Sequence, residues 1–189
     1  MTKTKIFFNE TEDIIDIRYD NVFKAVFTGG TPASKKALSR LISALIGREI
    51  TIITINANEP PINNVRDRQI SFDINCKAGD DELINVEMSL NPAPFEPVRL
   101  EFHAVETQCI ASLLHELSKL DEIIKKSVEE MSAPEHWAIF FKYLTDKSKR
   151  RKINKIIELE EGIAMASEVL INISKDEKER FRLMSEYKY

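Results

Sequence analysis

The sequence predicts an α/β (α+β) fold, with a small sheet flanked by helices and a helical C-terminal region. Three observations carry that expectation. Two segments near the middle of the chain alternate apolar and polar residues with a period of two, as strands do. The segments before and after them repeat apolar residues at helical spacing. Those helical segments also carry start and stop signals at their ends.

Composition sets the outer limits. The 189 residues suffice for one domain with a core and a helical appendage. A hydrophobic share of 43% with 31% charged residues argues for a globular chain and against a disordered or fibrous one. A formal charge of −4 makes no global electrostatic case for nucleic-acid binding, so any such case must be local. Cys76 and Cys109 are the only cysteines and form no CxxC, which reads as two reduced thiols. No run of 18 apolar residues occurs, and MTKTKIFFNETEDI lacks the apolar stretch of a signal peptide. The expectation is a cytoplasmic protein that does not engage a membrane.

The first helix is expected over residues 19–27, where Phe23, Val26 and Phe27 share a face. Asp20 stands in its first turn, where a carboxylate suits the helix dipole, and Gly29-Gly30 stops it. Thr31 and Pro32 read as N-cap and N1 of a second helix with Leu38, Leu41, Ile42, Leu45 and Ile46 as its stripe. Gly47 closes that helix. Residues 50–55 are β-rich, Pro60-Pro61 breaks the chain, and strands are expected at about 68–77 and 82–90. Residues 91–94, Asn-Pro-Ala-Pro, end the sheet segment, and residues 97–115 read as helical. Beyond them Ser118 with Asp121 opens a helix. Ser132 and Glu135 form a capping box ahead of Trp137, Phe140, Phe141 and Leu144, which read as helix core. Ser148 precedes a helix carrying Ile153, Ile156, Ile157, Ile163, Ala164 and Leu170. Ser174 with Glu177 is a second capping box, for the terminal helix.

The two alternating segments determine their own pairing. Residues 70–76 and 84–90 both hide their even positions. Paired residues in an antiparallel hairpin share a constant sum of numbers, and matching two even faces requires an even sum. A three-residue loop at Gly79, Asp80 and Asp81 gives 160 and places a glycine where positive φ is often needed. Ile70 then opposes Leu90, Phe72 opposes Met88 and Ile74 opposes Val86. On the other face Ser71 opposes Ser89, Asn75 opposes Asn85, and Asp73 opposes Glu87. Opposed like charges destabilise a sheet. A cation, a shared proton or good solvation must offset them, and a solvated polar face with splayed acids fits the pattern as well as a metal site does.

The set YDNVFKAVF, RQISFDINCKAGDDELINVEMSL and EPVRLEF resembles the recombination-promoting nuclease and transposase family of the PD-(D/E)XK superfamily. The tail, from ELSKLDEI through EMSAPEHWAIFFKYLTDKSKRRKINKII to EEGIAMASEVL, is similar to that family's C-terminal region. The resemblance implies a restriction-endonuclease-like core and a Mg²⁺-dependent endonuclease that cuts DNA, tied to mobile elements and recombination. It assigns Asp73 and Glu87 as catalytic metal ligands and Asp20 as the supporting acid on the first helix. The third hairpin position, Lys or Gln in the family, is Ser89 here. Serine hydrogen-bonds a water or phosphate but brings no charge, and Lys24 or Lys77 could compensate, unless each is simply a solvated surface lysine. The family also carries a further strand where residues 104–116 bridge directly, so the core reads as internally shortened. An edge exposed by that loss invites homo-oligomerisation. The expected division is a nuclease-like core at 1–117 and a helical region at 118–189. The competing reading is a non-catalytic remnant that binds DNA or protein.

Other signals are weaker. Residues 142–155 hold Lys142, Lys147, Lys149, Arg150, Arg151, Lys152 and Lys155 against Asp146 alone. Lys149, Arg150, Arg151 and Lys152 are candidates to follow a phosphate backbone. They also read as a solvated helix start, neutralised by Glu158, Glu160 and Glu161. His103, His115 and His136 lack ligand spacing, and neither GxSxG nor a glycine-rich phosphate loop occurs.

Overall fold

Helix α1 (Asp20–Thr28) turns Val22, Phe23, Val26 and Phe27 inward, with Asp20 in its first turn as expected. Gly30 follows at a φ of 72°, a left-handed conformation that lets the chain reverse into helix α2 (Pro32–Ile46). The Thr31 side chain caps α2 by accepting from the Ser34 N–H, and Gly47 closes it at a φ of 79° with its N–H on the Ser43 carbonyl. These are the caps read from the sequence. The computed structural model describes residues 8–9, 11–56, 74–79, 82–89, 99–104, 110–114 and 117–185.

Among the described residues the sheet is a five-stranded antiparallel meander: β1 (Ile52–Asn56), β2 (Ile74–Ala78), β3 (Leu83–Ser89), β4 (Arg99–Ala104) and β5 (Ile110–Leu114), in spatial order β1-β2-β3-β4-β5. Ile52, Ile74, Cys76, Ala78, Ile84 and Val86 are buried on one face, in a single cluster with Leu38, Leu41 and Ile42 of α2. A bulge at Ile53 interrupts edge strand β1, and the Lys35 amine donates to the Ile53 carbonyl at 2.7 Å. A lysine held there blunts an edge that would otherwise template another strand.

The segment at 97–115 departs from the helical expectation. It contributes β4 and β5. Leu100, Phe102 and Ala104 alternate with Arg99, Glu101 and His103, a period of two that was legible in the sequence. The unpaired edge of β3 recruits this segment through a six-pair ladder from Ile84↔Ala104 to Ser89↔Arg99. The sheet therefore continues past residue 90 by two strands, where the sequence suggested about three in all.

The C-terminal region is helical, as expected: α3 (Leu117–Ile123), α4 (Ala133–Tyr143), α5 (Arg150–Leu159), α6 (Glu161–Lys175) and α7 (Glu177–Ser185). Ser132 and Glu135 form the capping box that starts α4. Two expectations need correction. The helix expected from Ser148 onward is split at Glu160, whose φ of −107° and ψ of 102° are extended. Helix α7 is capped by Asp176, which accepts from the N–H groups of Lys178 and Glu179 at 3.0 Å each. Ser174 is buried instead, and its hydroxyl accepts from the Ile15 N–H at 3.2 Å. The competing Asx cap wins because the α6 chain must bend before α7 begins.

Helices α4 and α6 complete the core of α1 and α2. Trp137 and Phe141 stack at 5.7 Å between ring centroids, and Phe27 lies 6.0 Å from Trp137 and Phe23 6.1 Å from Phe141. Burying each such ring contributes roughly 1.5–3 kcal/mol. Gly162 permits the closest approach: a Cβ there would meet Arg40 Cβ at 2.3 Å and the Trp137 ring at 3.0 Å. His136, 5% exposed, ties the same region together. Its Nε2–H donates to the Val128 carbonyl and its Nδ1–H to Glu160 Oε1, both at 2.8 Å. A carbonyl and a carboxylate only accept, so the ring is doubly protonated in this arrangement. Burial disfavours that charge, but the bonds to Glu160 and Val128 and the nearby Glu135 outweigh it and raise the pKa above 6.5.

Two outcomes follow. Gly162→Ala is expected to lower stability by about 1–3 kcal/mol through overpacking, read as a lower urea midpoint at unchanged slope. The His136 contribution is fully present below about pH 6.5 and is lost as pH rises through the raised folded-state pKa. The Tm advantage of wild type over Glu160→Gln is therefore expected to shrink from pH 6 toward pH 9. An advantage that stays constant over that range refutes the charged pair.

Candidate functional site

The hairpin β2–β3 carries the candidate site, and its register is the one the apolar pattern demands. Ile74 opposes Val86, Asn75 opposes Asn85, Cys76 opposes Ile84 and Lys77 opposes Leu83, all with the sum 160. The Ala78 N–H donates to the Glu82 carbonyl at 2.8 Å across the three-residue loop. Gly79 is not among the positive-φ glycines, and its N–H donates to the Thr51 carbonyl at 3.1 Å, so it docks the turn on β1. Asp73, with the pairs expected at 70–73, lies outside the described residues. Glu87 and Ser89 are placed in β3 by their backbone.

The β3–β4 ladder adds neighbours that the helical reading of 97–115 missed. Glu87 opposes Glu101, Ser89 opposes Arg99, and Asn85 opposes His103. Glu101 in turn opposes Ser112 on β5. Directly opposed residues in a sheet share a face. The register thus aligns Glu87, Glu101 and Ser112 in one row across β3, β4 and β5. A row Asn56–Asn75–Asn85–His103 flanks it on one side and the pair Ser89–Arg99 on the other. The alternation over 99–104 was the signal that could have revealed Arg99, Glu101 and His103.

The remaining candidates scatter. Asp20 is ion-paired with Lys24 on α1 at 2.8 Å. Helix α1 packs chiefly on α2 and α6, while the sheet meets α2 through β1 and β5. Lys77 is half-buried on the polar face of β2. Arg150 is only 1% exposed; its Nη2 donates to the Glu12 carbonyl at 3.2 Å and its guanidinium lies 5.2 Å from the Phe8 ring centroid. Burial lowers its pKa against the opposing field of Glu12 and Asp13. The Lys152 amine donates to the carbonyls of Ile124 and Lys126. Lys149 is half-buried and Arg151 exposed. Glu82 is buried and paired with Arg48. Among the described residues no group of three or more His, Cys, Asp or Glu could hold a metal, and no helix is long and apolar enough to cross a membrane.

Residues 17–108 match the PD-(D/E)XK nuclease family transposases. The match spans α1, α2 and strands β1 to β4, so the resemblance read from the sequence holds over those elements, and β5 and the C-terminal helices lie beyond it. Nucleases of this superfamily generally use divalent metal ions. No curated protein and no solved structure matches the chain.

Cys76 sits beside this face without belonging to it. It is 1% exposed with its thiol 3.5 Å from the Ile84 carbonyl, and burial pushes its pKa up to about 12. A thiol so protonated is a poor nucleophile and metal ligand. Native protein carrying Cys109→Ser is therefore expected to resist iodoacetamide at pH 8 and to be alkylated once unfolded in urea, as followed by mass spectrometry.

Proposed function

We propose that the chain is a Mg²⁺-dependent DNA endonuclease of PD-(D/E)XK type, with Asp73 and Glu87 as metal ligands and Asp20 in support. The observation that supports it is the observed β2–β3 register. Its sum of 160 holds from Lys77↔Leu83 to Ile74↔Val86, and continuing it by one pair would set Asp73 opposite Glu87. The family match over residues 17–108 supports a nuclease reaction and, with it, DNA as the substrate.

The donor chemistry fits the ion. Carboxylate oxygens are hard ligands, and Mg²⁺ takes one or two of them with waters and substrate phosphate. Opposed Glu87 and Glu101 cost stability when nothing balances them, and a divalent cation would do so. When bound, the metal supplies water activation and charge stabilisation at the scissile phosphate. Asp73 and Glu87 would hold it through their negative charge. Ser89 would donate its hydroxyl proton to a water or a phosphate oxygen. Lys149 and Arg151 would meet the DNA backbone away from the cut.

Ser89 favours a second reading, a non-catalytic remnant of such a nuclease that binds DNA or a partner protein. Purified protein is expected to cut plasmid DNA in Mg²⁺, and Asp73→Ala to slow this by roughly 10²-fold or more, the scale of losing a key electrostatic group. Cutting that survives Asp73→Ala points away from this site. No cutting, with a Mg²⁺-dependent Tm rise that Glu87→Gln removes, supports the remnant.

A further inference from the structure

We infer that the C-terminal helical region carries a sequence-independent site for the phosphate backbone of DNA, built from Lys125, Lys149, Arg151 and Lys155. It takes DNA as the partner from the reading above and lies outside residues 17–108, which match the nuclease family. Lys125, Arg151 and Lys155 are exposed and Lys149 is half-buried. None of the four makes an ion pair or a side-chain hydrogen bond among the described residues. By contrast, Lys36, Arg48, Lys126, Lys175 and Arg180 each sit on a carboxylate. Lys149, Arg151 and Lys155 lie at the start of α5 and span about 9 Å along its axis. That is the rise of roughly three phosphates on one DNA strand.

The fold brings two basic segments together and engages the neighbouring acids elsewhere. The Lys152 amine donates to the carbonyls of Ile124 and Lys126, which fastens α5 to the turn that carries Lys125. Burial lowers the Lys152 pKa and the fields of Lys149 and Lys155 lower it further, a mark of crowded cations. Glu160 and Glu161, read from the sequence as neutralising this run, are turned to other partners. Glu160 bonds His136, and Glu161 pairs with Lys36 and Arg40. Asp146 accepts from the Ser148 N–H and hydroxyl, Glu135 holds Lys126, and Asp121 holds Lys142 and Tyr143. Glu129, whose field reaches Lys152, and Glu158 on α5 flank the patch. Cations with no carboxylate in contact are open to a polyanion, whose bound counterions they release. Phosphate contacts carry no base information, so such a site fixes position on the duplex and reads no sequence. Leu159 is the one exposed large apolar side chain of α5, too little to seat the helix in a bilayer.

Binding of a short fluorescent DNA duplex by the full chain in EDTA, followed by anisotropy across a KCl series, tests this without any cutting. Wild type is expected to bind with log K falling linearly in log salt. Combining Lys125→Gln, Lys149→Gln, Arg151→Gln and Lys155→Gln is expected to make that slope shallower by about 3–4, with Tm unchanged. Lys36→Gln with Lys175→Gln and Lys178→Gln removes charge elsewhere and is expected to keep the wild-type slope. Should the fourfold variant not fold, Lys155→Gln alone is expected to cost about 0.9 of slope, and an unchanged slope there overturns the inference. No binding by wild type, a folded fourfold variant with the wild-type slope, or an equal loss in the charge control also overturns it. Capture on phosphatidylserine vesicles without binding to the duplex overturns it in favour of a membrane surface. The nuclease reading fails separately, by cutting that survives Asp73→Ala, and that outcome leaves binding in EDTA untouched.

Discussion

The pairing of Ile74 with Val86 governs what the sheet presents to its surroundings. Both side chains are fully buried, in the same cluster as Ile84, Cys76 and the α2 stripe. Because side chains alternate strictly along a strand, a slip of one residue would send this whole apolar set to the open face. The core therefore holds the register, and the register decides which polar residues become neighbours on the opposite face. Asn75 with Asn85 is one consequence, and the site proposed around Glu87 is another.

The ladder from β3 to β4 extends that logic with electrostatic consequences. Several described acids are matched by cations: Glu82 by Arg48, Asp20 by Lys24, Glu161 by Lys36 at 2.6 Å. Glu87 and Glu101 are direct partners in the register of adjacent strands.

The helical half is joined to this arrangement through shared packing. Trp137, Phe140 and Phe141 pack with Phe23 and Phe27, and α6 crosses α2 where Gly162 leaves room for Arg40. Arg150 and His136 are both buried: the Arg150 Nη2 donates to the Glu12 carbonyl, and His136 bridges the Val128 carbonyl and the Glu160 carboxylate. Arg150, in the basic run, thus braces the N-terminal segment; Lys152 bonds carbonyls, and Arg151 stays exposed.

The amino-acid sequence by itself determined the α/β class, the stop of α1, the caps of α2, the capping box of α4 and the hairpin register over 74–77 and 83–86, because each depends on local periodicity or on residues a few positions apart. It also contained the acids and the family pattern over residues 17–108. Tertiary structure decided the rest. Residues 99–104 became a strand because the β3 edge offered hydrogen bonds that a local reading cannot weigh. The long helix broke at Glu160, where the carboxylate serves His136. Burial, which no single residue announces, turned Arg150 from a surface cation into a core one. Only the ladder made Glu101 and Arg99 neighbours of Glu87 and Ser89, since strand partners ten or more residues apart are chosen by the edges that meet and not by their own sequence.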